Sequence, residues 1–226
     1  MGQEIERKNI RAVLFDFDYT LADTSKGVTD CINSALDALH VPRVSYEAVC
    51  KTIGMPLQVA FHTLTGKAEE QKTDEFIKLF TKRADEVMAH MAVLYDTVPD
   101  VIRRLKEREF LLGIVSTKFH YRIEAILKRY GLFDAFNVIV GGEDVMQQKP
   151  DPAALQLALQ TLGNIDPASA FYVGDSTIDA EAAKRAHMPF VAILSGTTQR
   201  EDFNSYSPDA VCENLHQVAD WVLSRD

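Results

Sequence analysis

Val13-Leu14-Phe15-Asp16-Phe17-Asp18-Tyr19-Thr20-Leu21 is an apolar run that ends in two carboxylates, Asp16 and Asp18. A carboxylate is costly to bury unless a cation or a donor compensates it. Two of them this close also repel, so they share a metal ion or one holds a proton. The stretch therefore predicts a buried strand that delivers a catalytic pair at its end.

The same kind of short apolar run recurs outward from it. The first run begins at Ile10, and others span residues 111–115, 136–140, 170–173 and 190–194. Segments of helical period separate the last four. Arg122, Ile123, Ile126, Leu127 and Tyr130 fit one, Ala154, Leu155, Ala158, Leu159 and Leu162 a second, and residues 178–186 a third. Leu215, Val218, Ala219, Val222 and Leu223 form a closing amphipathic stretch with Trp221 beside them. Strand–helix alternation of this kind predicts an α/β fold, a Rossmann-like open parallel sheet with helices on both faces.

Residues 25–91 break the rhythm, with no strand-like run among them. Val28, Ile32, Ala35, Leu36 and Leu39 share one helical face, and Ser45 is placed to cap a second helix. Gly54-Met55-Pro56 reads as a loop. Residues 69–91 read as one long helix with Phe76, Phe80, Ala84, Val87 and Met91 inward. The expected organisation is an α/β core of residues 1–23 and 94–226, interrupted by an all-helical cap of residues 24–93. The insertion's own core is expected to be small and the insertion mobile relative to the sheet.

Composition narrows the partners. The 226 residues are 46% hydrophobic and 25% charged, an ordinary globular balance, and the net charge is -9. That charge argues against nucleic acid or an anionic membrane as partner. An anionic substrate must then be attracted locally. Cys31, Cys50 and Cys212 are widely spaced and odd in number, which fits small buried residues in a reducing compartment. The N-terminal MGQEIERKNIR has no apolar segment, and Glu6 stands where a myristoylation signal needs Ser or Thr. A cytoplasmic protein is expected.

Polar signals stand where the strand runs end: Asp16 and Asp18; Ser116-Thr117-Lys118; Lys149-Pro150, beyond Gly141-Gly142; and Gly174-Asp175-Ser176-Thr177-Ile178-Asp179. Ligands of open parallel sheets bind at the carboxyl ends of the strands, so these residues are expected to meet in one crevice. Their types suit phosphoryl transfer. A carboxylate attacks phosphorus to give an aspartyl phosphate, and hard Mg²⁺ neutralises the two repelling anions. Asp175 is the expected second carboxylate ligand beside Asp16, with Asp179 orienting it or a bound water. Ser116 donates to a phosphate oxygen, and Lys149 supplies positive charge to the transition state. Thr117 is taken with Ser116 as substrate-binding, although Thr117 and Lys118 serve equally well to open the next helix. Asp18 protonates the leaving oxygen and then activates water.

The set Asp16-x-Asp18-x-Thr20, Ser116, Lys149 and Gly174-Asp175-x-x-x-Asp179 resembles the haloacid dehalogenase superfamily in order and spacing, over essentially the whole chain. An insert directly after the first motif resembles the branch that includes phosphoglycolate phosphatases, pyrophosphatases and β-phosphoglucomutases. The resemblance implies Asp16 as nucleophile, Asp18 as general acid/base and, through its backbone carbonyl, metal ligand. It also implies Ser116 and Lys149 as holders of the phosphoryl group, and Asp175 as Mg²⁺ ligand with Asp179 in support. The expected substrate is a small phosphorylated metabolite, phosphoglycolate-like, with pyrophosphate or a sugar phosphate in a mutase reaction as alternatives. The family's usual glycine is Tyr19 here. A positive φ would disfavour tyrosine there, and the residue is read as shaping the pocket wall near the cap.

Two other readings use the same residues. A metal-free dehalogenase has no task for Asp18, because departing halide needs no proton. A phosphoacceptor signalling domain holds its phosphate, which the helical insert and Asp18 disfavour. Ile53-Gly54-Met55-Pro56-Leu57 lacks the arginine expected of a β-phosphoglucomutase cap loop. Gly54-Met55-Pro56 resembles a cap loop that faces the active site in related phosphatases, and reads equally well as an ordinary turn. None of the six histidines shows paired metal spacing, and His62 and Lys67 are weaker candidates for substrate contact.

Overall fold

A computed structural model describes residues 10–225; residues 1–9, on which most of the reading against a leader peptide rests, lie outside it. The elements in chain order are β1 (Ala12–Phe15), β2 (Ala22–Asp23), α1 (Ser25–Ala38), α2 (Tyr46–Cys50), α3 (Leu57–Thr65), α4 (Thr73–Met91) and β3 (Val93–Leu94). Then come α5 (Val98–Glu107), β4 (Leu111–Val115), α6 (His120–Arg129), β5 (Val138–Val140), α7 (Ala153–Thr161) and β6 (Ala170–Gly174). The chain finishes with α8 (Thr177–Arg185), β7 (Phe190–Ile193), β8 (Ala210–Cys212) and α9 (Leu215–Leu223).

Six parallel strands form one sheet in the order β5-β4-β1-β6-β7-β8. The chain runs outward from β1 through β4 to β5, then resumes on the other side of β1 with β6. Strand order therefore reverses at β1, where open sheets of this kind bind ligands. Alternation along each strand sorts the side chains between two apolar layers. Val13, Phe15, Leu112, Ile114, Phe171 and Val173 face α5, α6 and α9. Ala12, Leu14, Val115, Ala170, Tyr172 and Ala192 face α7 and α8. The expected parallel sheet covered on both faces is thus present. Gly113 is required in it, since a Cβ there would meet Leu14 and Val138 at about 2.5 Å.

Residues 25–91 are helical throughout their regular structure, as expected, and Ser45 Oγ accepts from the Ala48 N–H to cap α2. The long helix differs in detail. Residues Lys67–Lys72 form a tighter 3-10 turn and the α-helix starts at Thr73. Its buried stripe is Phe76, Phe80, Ala84 and Met88, a four-residue repeat that leaves Val87 and Met91 half-buried. The insertion's interior is not a small separate core either. Val28, Ile32, Leu36, Phe61, Phe76, Phe80 and Met88 join Phe17 and Leu21 in the apolar layer that covers one face of the sheet. Its two ends lie side by side, because Ala22 pairs with Leu94 and Asp23 with Val93 in an antiparallel ribbon.

β8 and α5 were not among the runs read from the sequence. β8 is a three-residue edge strand, while Val98, Val101, Ile102 and Leu105 of α5 carry a clear helical spacing. The three cysteines are free and buried. Among the described residues, no helix is long and apolar enough to cross a membrane.

Candidate active site

The sheet register assembles the site. Phe15 is level with Ile114 of β4 and with Val173 of β6, so the residues that follow in all three strands emerge together. Asp16 N–H still donates to Val173 O at 2.8 Å, which extends the pairing by one residue. The chain then turns tightly, with Leu21 and Ala22 N–H both on Phe17 O and Tyr19 N–H on Ala22 O at 2.7 Å. Tyr19 takes a φ of +60°, the conformation that glycine adopts freely and tyrosine does not. Its phenol is buried, and burial followed by the Cys50 thiol holds its proton on. Cys50 ends α2. Tyr19 is absent from the cavity wall described below, so it ties the turn to the insertion and does not shape the pocket.

Asp16, Lys149, Asp175 and Asp179 come together here, each at most 6% exposed. Lys149 Nζ lies 2.9 Å from Asp16 Oδ1 and 2.6 Å from Asp179 Oδ1. It also donates to Tyr172 Oη at 2.9 Å, and that phenol contacts both Asp179 Oδ1 and Val115 O. Asp179 Oδ2 takes the Ser176 N–H and hydroxyl, closing a capping box at the start of α8. Both Asp179 oxygens are therefore already occupied by donors. Gly174 must be glycine, because a Cβ there would sit 2.5 Å from that of Asp179.

The carboxylate oxygens of Asp16, Asp175 and Asp179 lie within 4.8 Å of one another. With Asp179 saturated, Asp16 and Asp175 are the pair left to hold a cation. Two observations fit one. Asp16 Oδ1 is a buried acceptor with no aligned hydrogen-bond donor, since Lys149 approaches it off-axis. Three carboxylates against one ammonium also leave two negative charges uncompensated in a dry site. Burial, then the neighbouring Asp179 and Asp18 against the opposing pull of Lys149, raises Asp16 to about 7. Burial with Asp179 and Asp16 raises Asp175 well above the usual carboxylate range. Burial opposes the charge on Lys149, but Asp16 and Asp179 outweigh it and push its pKa up. The cluster can hold a divalent metal ion.

Asp18 faces a different direction. Its Oδ1 accepts from the Thr24 hydroxyl at 2.6 Å and pairs with Lys118 Nζ at 3.1 Å. Thr24 stands at the N-cap of α1 yet makes no capping bond, because its hydroxyl is turned to Asp18. Ser116 is buried at the end of β4, where its hydroxyl accepts from Lys118 N–H. Thr117 donates to Gly54 O of the insertion at 3.2 Å. Asp18, Thr117 and Lys118 lie on the wall of a cavity of about 270 Å³, whose other walls are the Gly54-Met55-Pro56 loop and the apolar side chains of α1 and α4. His62 and Lys67 are not on that wall: His62 is hydrogen-bonded to Thr73 and Lys67 is exposed.

Tyr172, Thr24 and Gly196 were missed by the sequence reading. Tyr172 carried a signal, a phenol inside a fully buried strand that must find a partner. Thr24 and Gly196 carried none; a Cβ at Gly196 would run into Asp175 Oδ2.

The haloacid dehalogenase-like hydrolase family model matches residues 13–193, which takes in every one of the motif residues. The chain belongs to the haloacid dehalogenase-like hydrolases. Similar members include the Bacillus velezensis pyrophosphatase PpaX, 31% identical with 93% of this chain and 95% of that one aligned. A Salmonella typhimurium phosphoglycolate phosphatase is 32% identical, with 93% and 92% aligned. A putative haloacid dehalogenase-like hydrolase from Bacteroides fragilis superposes with a TM-score of 0.88 at 35% identity, over 92% of this chain and 99% of that one.

Proposed function

We propose that this hydrolase is a Mg²⁺-dependent phosphatase that cleaves a small phosphate monoester through an aspartyl phosphate on Asp16. The arrangement that carries the reading is Lys149 clamped between Asp16 and Asp179, with Asp175 across the switch point of the sheet. Asp16 and Asp175 would hold Mg²⁺, which when bound would neutralise charge between the attacking carboxylate and the phosphate dianion.

The remaining work falls to the chain's own groups. An Asp16 oxygen bonds to phosphorus as the phosphorus–alkoxide bond breaks. Asp18 gives its proton to the departing oxygen, then takes one from the water that attacks the aspartyl phosphate. That second step frees inorganic phosphate and restores the Asp16 carboxylate. Lys149 stabilises the transferring group's negative charge. The Ser116 hydroxyl, which accepts from Lys118 N–H, keeps its own proton for a phosphate oxygen. Thr117 joins the insertion to this floor through Gly54. We read residues 24–93 as a cap that covers the site and excludes water, and the buried free thiols support a cytoplasmic setting.

The names of the relatives bring phosphoglycolate and pyrophosphate forward as candidates, in line with the sequence expectation of a phosphoglycolate-like substrate. Phosphate release from a panel of phosphorylated metabolites with Mg²⁺, run beside Asp16→Asn, tests the reading. The expected result is turnover in the natural protein and at least about a thousandfold less in Asp16→Asn. Turnover by Asp16→Asn above a few per cent would show that another group is the nucleophile.

A further inference from the structure

The cavity beside Asp18 carries information about the alcohol half of the substrate. Its walls include Asp18, the proposed acid for the leaving oxygen, but none of Asp16, Lys149, Asp175 or Asp179. A phosphoryl group seated on Asp16 therefore presents its leaving group to this chamber.

The lining is mostly apolar, with Ile32, Met55, Ile77 and Phe80 among it, and Gln58 and Gln148 add neutral polar groups. Among the described residues Lys118 and Arg122 are the cations on its wall, and both are engaged. Lys118 Nζ is 3.1 Å from Asp18. Arg122 Nε donates to Asp85 Oδ1 at 2.8 Å and Nη2 to Thr81 O at 3.0 Å, both on α4. Its guanidinium lies 4.8 Å from the centre of the Phe119 ring. A leaving group bearing a carboxylate or a second phosphate would have to compete with Asp18 for Lys118, in a buried pair, or with the half-exposed Asp85 for Arg122. Removing one partner from a buried pair leaves the other charge exposed to the full desolvation cost. An apolar group entering the same space meets no such opposition and gains from leaving water.

We propose that the substrate is a phosphate ester of an uncharged, largely apolar alcohol, and that phosphoglycolate and pyrophosphate are disfavoured by this chamber. The proposal rests on the phosphatase reading above and sharpens it at the leaving-group end.

The test is a series of unbranched alkyl phosphates, ethyl to hexyl, assayed with Mg²⁺ beside phosphoglycolate and pyrophosphate. Leaving-group acidity is nearly constant along the series, so chain length reports the chamber alone. The expected kcat/KM rises about three- to fourfold for each methylene buried, until the chamber is full. Phosphoglycolate should fall at least about tenfold below propyl phosphate. Introducing a cation with Met55→Arg should flatten the series and raise phosphoglycolate turnover at least about tenfold. A series that is flat or falls with length, a natural enzyme that prefers phosphoglycolate or pyrophosphate, or a Met55→Arg protein with unchanged ranking would each overturn the proposal while leaving a phosphatase. Absence of phosphate release from every compound would overturn the phosphatase reading, and this proposal with it.

Discussion

The carboxylate–lysine cluster at the carboxyl ends of β1 and β6 and the chamber beside Asp18 sit next to each other but are built on opposite principles. In the cluster ion pairs and directional hydrogen bonds do the fixing: Lys149 holds Asp16 and Asp179, and Ser176 and Tyr172 hold Asp179 in turn. The chamber is walled mostly by apolar side chains, with Thr52, Gln58 and Gln148 among them and Lys118 and Arg122 tethered by ion pairs. Directional bonds of the first kind fix atoms to a few tenths of an ångström, which bond-making chemistry needs. Apolar walls impose volume and reject charge, which suits selection among substrates. The lesson is that chemistry and choice of substrate are separable in this molecule, and each can be attacked without the other.

Lys149→Met should give the largest effect on the cluster side. Loss of its charge is expected to lower kcat by about 10²–10³ at each substrate, with the chain-length ranking of alkyl phosphates unchanged. Stability should fall by about 3–5 kcal/mol, because Asp16 and Asp179 lose the buried partner between them. Urea unfolding and steady-state kinetics measure the two; a Lys149→Met protein of natural activity would erase the distinction drawn here.

A smaller effect concerns protons and the cation. In cation-free protein Asp16 titrates at about 7 against an ordinary 3.8, and Asp175 is raised as well. The folded state then binds protons more tightly than the unfolded chain. Stability is therefore highest at acid pH and is lost as pH rises from about 4 towards 7. Mg²⁺ competes with those protons, so it should raise the melting temperature more at pH 8 than at pH 5. Melts in EDTA that rise over this interval would contradict the placement of Asp16 and Asp175.

Thr117→Val should give the smallest change and should fall on the chamber side. It removes one hydrogen bond to Gly54 O and leaves the cluster alone. KM is expected to rise a few-fold with kcat nearly constant, about 1 kcal/mol of lost positioning. A drop in kcat of a hundredfold would place Thr117 with the reacting groups.

The sequence disclosed these two regions unequally. Asp16 and Asp175 each stand directly past a buried strand, where parallel register dictates their place, and Lys149 and Asp179 follow in the loop after β5 and the first turn of α8. The chamber has no comparable rule. Ile32, Ile53, Ile77, Phe80 and Met88 come from three segments of the insertion, and their convergence depends on how α1 and α4 are packed. The stripe of α4 illustrates the limit. Phe76, Phe80 and Ala84 were legible from spacing, but Met88 and not Val87 completes the row, because the helix buries a four-residue repeat against α1. Thr24 lay beyond sequence reading because its hydroxyl serves Asp18 and not its own helix. Tyr19 was the instructive case: the positive φ that argues against tyrosine is present, and the phenol reaches under α2 instead of into the cavity.

The ribbon formed by β2 and β3 has a topological consequence. Antiparallel partners stand only about 5 Å apart, so the whole excursion from Asp23 to Val93 leaves and re-enters through a single narrow doorway. Such a cassette is exchangeable between relatives without rerouting any strand. Phe17 and Leu21 set the condition for a successful graft, since they lie on the threshold and belong to the interior on both sides of it.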